Sequence, residues 1–153
     1  LKTSILLWQV SAFTVAHTIT LIFGSFGAIS LPASIVEPLI AASIVFVAVE
    51  NIFFSKINPW RTKIVFIFGL LHGLGFASVL ADFGLPTGQF IPALIGFNVG
   101  VELGQLSVIA IALVTLGLPF GKSRHYRNRV TIPTSLLVAL IGIYWLMERT
   151  IFT

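Results

Sequence analysis

Five nearly charge-free apolar stretches follow one another along the chain, at about 4–24, 36–54, 62–81, 91–116 and 131–151. Each is close to the roughly 20 residues that carry a helix across the hydrocarbon core of a bilayer. Of the 153 residues, 57% are hydrophobic and 9% are charged. Soluble domains carry about 25% charged residues, so this chain cannot cover itself with polar surface in water. In lipid every backbone N–H and C=O must be satisfied internally, which selects helices. The expected fold is therefore all-α: a polytopic transmembrane helix bundle of five spans, residues 1–153 forming a single transmembrane domain. The linkers hold helix-ending residues: Pro32, Asn58-Pro59, Gly84-Leu85-Pro86 and Leu118-Pro119. The first stretch follows Lys2 as a signal peptide would, but it is longer than an h-region and contains Thr14, His17, Thr18 and Thr20, so it reads as a span.

Basic residues set the expected direction. Lys56, Arg61 and Lys63 lie between spans two and three, and Lys122, Arg124, Arg127 and Arg129 between spans four and five. Linkers 25–35 and 82–90 have none. The positive-inside rule places both basic loops and the N-terminus in the cytoplasm. Arg149 falls on the other side, beside Glu148, which can partly neutralise it. Trp60 suits an inner aromatic belt and Tyr144 and Trp145 an outer one. The formal net charge of +4 is held in short loops, a topology signal rather than a nucleic-acid footprint. With no cysteine and Met147 as the one methionine, disulfides, thiolate metal sites and a soft copper(I) site are excluded.

An ionisable side chain inside a span is costly and is seldom kept unless it faces a partner, a cavity or a substrate. Four spans carry one: His17, Glu50, His72 and Glu102. Measured from the cytoplasmic end, His72 lies about 15 Å deep, His17 about 20 Å and Glu102 about 21 Å. In span four Asn98, Glu102 and Gln105 share one helix face by their i, i+4, i+7 spacing. Gly96, Gly100 and Gly104 line the opposite face, where small residues allow a second helix close approach. That helix is expected to be buried on both sides. His72 stands among Gly69, Gly73 and Gly75, which implies close backbone contact or room beside the ring. A membrane-interior imidazole ligates a metal, passes a proton or bonds across helices. Thr14 and Thr20, one turn from His17, are placed to orient its ring. Glu50, beside Asn51, either pairs with an inner base such as Lys56 or lines an inner vestibule. Glu37 opens span two, where a negative charge is favourable. Asp82 sits at the outer rim.

The stretches Phe13–Leu21, Glu37–Asn51, Phe68–Ala77 and Phe97–Gln105 together resemble the HupE/UreJ family of bacterial membrane proteins, in the branch without a His-Pro start and an Asp-His pair in the first helix. The resemblance covers spans one to four. It implies a multi-pass protein of the bacterial inner membrane that handles nickel or a related divalent metal in a permease-like way. Branch members often carry an extracytoplasmic region ahead of the helices. The chain begins at Leu1 and is expected to be a piece of a longer one, whose upstream part supplies another helix or such an outward-facing domain.

The reading that follows is a divalent transition metal bound mid-membrane. His17 and His72 donate ring nitrogens, Glu102 a carboxylate, and Asn98 or water completes the shell. Imidazole with carboxylate suits nickel, zinc, cobalt or iron(II) rather than calcium. Glu50 with Asn51 forms the next station inward, Asp82 and Glu37 attract cations at the outer mouth, and Gln105 and Thr14 support the ligands. The alternative is an intramembrane zinc-dependent hydrolase acting on lipid or peptide, whose metal keeps an open position for water. The expected partners are the lipid bilayer, the metal ion and, as an assembly, a homo-oligomer; nucleic acid is not among them.

Overall fold

Five helices long and apolar enough to span a membrane appear in the computed structural model, which describes residues 3–55, 58–82, 89–121, 123 and 125–151. They are α1 (Thr3–Ser25), α2 (Ala33–Phe53), α3 (Arg61–Asp82), α4 (Phe90–Ala112) and α6 (Ile132–Ile151), with a short α5 (Leu118–Phe120) between the last two. No strand occurs among the described residues. The all-helical, five-span expectation therefore holds.

Two boundaries differ from the sequence reading, for one reason. Span four does not stop at Leu118-Pro119 but continues to Phe120 through a wide π turn at Leu113–Gly117. Span five starts earlier, at Arg127, through a second π turn at Arg127–Thr131. Each turn is followed one residue later by a proline, Leu118-Pro119 and Ile132-Pro133. A proline ring collides with the carbonyl four residues back and has no N–H to give. Widening the turn relieves the collision, and the helix continues instead of ending.

Packing is uneven. Helix α1 lies closely along α3, and α6 lies along α2, while α2 and α3 meet over a thinner seam. Glycine makes the first pairing possible. A Cβ added at Gly69 would come within 2.7 Å of the Phe13 carbonyl oxygen and 2.9 Å of the Ala16 Cβ. Gly73 comes closer still, to the Thr20 hydroxyl and the His17 carbonyl. The hydroxyl of Thr20 then donates across the interface to the Leu70 carbonyl at 2.7 Å. On the other side Gly142 of α6 sits against Val45 and Ile44 of α2.

Helix α4 departs from expectation. Among the described residues it meets the rest along one edge, where Leu94 joins Leu21, Ala77 and Leu80 in an apolar cluster flanked by Phe76, Phe90 and Phe97 and Asn98 reaches Thr18. Its glycine face is open: among the described residues nothing lies within 4 Å of a Cβ built at Gly96, Gly100 or Gly104. The expected burial on both sides is therefore not found in this chain. Close packing by small residues needs a partner helix, and the bundle places α4 at its margin.

Candidate metal centre

The predicted donors arrive from α1, α3 and α4, and the fold sorts them into two neighbourhoods. His17 is 1% exposed, held in the α1–α3 interface that the glycines of α3 create. Among the described residues its buried Nε2 has no hydrogen-bond partner, and neither has the Thr14 hydroxyl one turn before it. Both line a narrow crevice between α1 and α4 with Asn98, Glu102 and Gln105. The crevice is too tight to admit a free water molecule. Glu102 lines it while remaining exposed on its far side. An unpartnered buried nitrogen is costly, and a group that accepts its lone pair or its proton removes that cost.

Asn98 is fixed by a residue the sequence reading left out of the site. Its amide nitrogen donates to the Thr18 hydroxyl at 3.0 Å, and that hydroxyl donates to the Thr14 carbonyl at 2.7 Å. Thr18 thus holds Asn98 toward α1. The signal in the sequence was adjacency to His17, which is weak because threonines in membrane helices commonly bond back to their own helix. Thr20, expected to orient His17, instead ties α1 to α3.

His72 is half-buried and faces away from that crevice, into the groove between α2, α3 and α6. Its Nδ1 lies 2.8 Å from the Phe68 carbonyl oxygen. A carbonyl only accepts, so Nδ1 carries the hydrogen and Nε2 keeps a lone pair for another partner. Both imidazoles contact the ring of Phe13, whose centroid is 6.0 Å from that of His17 and 5.2 Å from that of His72. Among the described residues no group of three or more His, Asp or Glu lies close enough together to hold a metal ion.

Each carboxylate of α2 faces an arginine of another helix. Glu50 is 7% exposed and pairs with Arg61, Nη1 to Oε2, at 3.8 Å. The same Nη1 donates to Asn51 at 2.7 Å. Lys56, the base expected there, lies outside the described residues. Glu37 falls beyond the first turn of α2 and is not a helix-start charge. Its Oε2 accepts a hydrogen bond from Arg149 Nε of α6 at 3.0 Å. Arg149 also lies 3.7 Å from Glu148, as its position in sequence suggested. Asp82 closes α3, with its side chain outside the described residues.

A family model described as HupE / UreJ protein matches residues 2–149. No curated protein and no solved structure matches the chain.

Proposed function

The chain belongs to the HupE/UreJ family, and on that premise we propose that it carries a divalent transition metal, nickel(II) first among the candidates, through or into the bacterial inner membrane. His17 and His72 act as nitrogen donors, and Glu102 and Asn98 as oxygen donors. The observation that carries this reading is the orphaned Nε2 of His17, 1% exposed, in a crevice shared with Asn98 and Glu102. His72, with its own lone pair on Nε2, stands across the Phe13 ring. A fixed catalytic zinc takes three protein ligands at one point. Donors spread over neighbouring stations suit an ion that is passed on, which favours a carrier over a hydrolase. Basic loops in the cytoplasm would put the Arg61 end of the bundle inside and the Arg149 end outside.

The test is calorimetric titration of nickel(II) into the purified chain in detergent, beside His17→Ala, His72→Ala and Glu102→Gln. Each loss is expected to weaken binding by at least the roughly 10-fold that removal of even an outer partner of a ligand costs. Unchanged affinity in the double histidine variant overturns the reading.

A further inference from the structure

Two cavities lie end to end along one face of α2. The first, about 450 Å³, is walled by Ser43 and Asn51 of α2, Phe68 of α3 and Ser135 of α6. The second, about 200 Å³, is walled by Ile40 of α2, Gly75 and Val79 of α3, and Trp145 of α6. Glu37, Ile40, Ile44, Val47 and Asn51 recur at helical spacing, so one stripe of α2 floors both. His72 lines both cavities, and among the described residues it alone is common to the two linings.

An arginine from another helix holds a carboxylate in the second cavity, and another does so next to Asn51, at the edge of the first. Arg149 and Glu37 line the second cavity and are joined at 3.0 Å. At the far end of α2, about 20 Å away at 1.5 Å per residue, Arg61 of α3 binds Asn51 of the first cavity and pairs with Glu50. The second closure is the looser. Its ion pair spans 3.8 Å, and among the described residues neither Glu50 Oε2 nor Arg61 Nε, both buried, has a hydrogen-bond partner. Sparse polar groups in largely apolar walls do not grip an ion, and a single imidazole midway gives it one place to rest.

We infer that the two cavities are the halves of a cation pathway, with His72 as the station between them and Glu37–Arg149 and Glu50–Arg61 as its gates. An arriving divalent cation competes with the arginine for the carboxylate, and the freed guanidinium swings aside. This rests on the transport reading above and adds a route between α2, α3 and α6, which meets the α1–α4 crevice of His17 at Phe13, a residue that lines both.

The chain contains no cysteine, so single cysteines report water access without background. Ser43→Cys and Ser135→Cys sample the first cavity, Ile40→Cys and Val79→Cys the second, and Val108→Cys, on exposed α4, serves as the lipid-facing control. The full chain in vesicles is treated from either face with a membrane-impermeant cationic methanethiosulfonate, and uptake of radioactive nickel(II) is followed in parallel. The first pair is expected to react from one face and the second pair from the other, each at least an order of magnitude faster than Val108→Cys. Glu37→Gln should speed reaction at Ile40→Cys. The swapped pair Glu37→Arg with Arg149→Glu should slow it again, which separates gating from misfolding. If all four positions stay as inert as the control while a lipid-soluble maleimide labels them, the groove holds acyl chains and the pathway is overturned. Nickel uptake with inert cavities overturns the pathway and leaves the transport reading standing. The expected labelling without nickel uptake supports the pathway and removes the metal.

Discussion

Gly73 stands where α3 crosses the His17 turn of α1, and its lack of a side chain is what lets the two backbones meet. Gly73→Ala is expected to destabilise the protein by about 1–3 kcal/mol, because the added methyl meets the Thr20 hydroxyl and the His17 carbonyl, and the backbone oxygen cannot move aside as a side chain would. Unfolding titrations in mixed micelles check it. Gly100 on α4 gives the opposite case, since nothing lies within 4 Å of its missing Cβ. Gly100→Ala should be neutral or stabilising by up to about 1 kcal/mol through helix propensity alone. If both variants lose stability alike, the open face of α4 is occupied after all. The same contrast limits what sequence can say about glycine. The cluster around His72 and the series on α4 look equally suited to close packing, and only the fold shows which one has a neighbour.

At the scale of elements, the spans were legible and their edges were not. Hydropathy marks the hydrocarbon, and about 20 apolar residues announce a helix. Prolines mislead there, because Pro119 and Pro133 widen their helices without ending them. The shared face of Asn98, Glu102 and Gln105 was also readable from spacing, and those three do line one crevice. What spacing could not supply was rotation between helices. His17 and His72 come from tightly packed partners yet open on different sides, and Glu50 found Arg61. Helix α4 is held mainly by its apolar cluster and the Asn98–Thr18 bond. A double-mutant cycle of Thr18→Val and Asn98→Ala should return a coupling of about 0.6 kcal/mol, the usual size for an interhelical hydrogen bond in a membrane protein. Zero coupling would mean that the pair does not position Asn98.

For the whole molecule, the two ion pairs of α2 are unequal. Arg149 and Glu37 are 36% and 42% exposed, so water and salt screen them, and Arg149→Gln should cost no more than about 1 kcal/mol. Arg61 and Glu50 are 13% and 8% exposed. Arg61→Ala strands a buried carboxylate and should cost about 3–5 kcal/mol, most of it recovered by adding Glu50→Gln. Denaturant midpoints of the four proteins decide this, and equal costs for the two arginines would contradict the burial difference. Sequence placed these charges near the ends of spans, but the choice of partner depends on which helices adjoin, and α6 beside α2 has no local signal.

The glycine contacts also determine where the bundle can yield. Helix α1 is locked to α3, and α6 is seated on α2, so the protein is built as two leaves joined along the α2–α3 line. Bending along that spine would leave each leaf intact while changing the width of the space above His72. The residues that make the halves stiff thereby concentrate any breathing of the structure on the side where the imidazole waits.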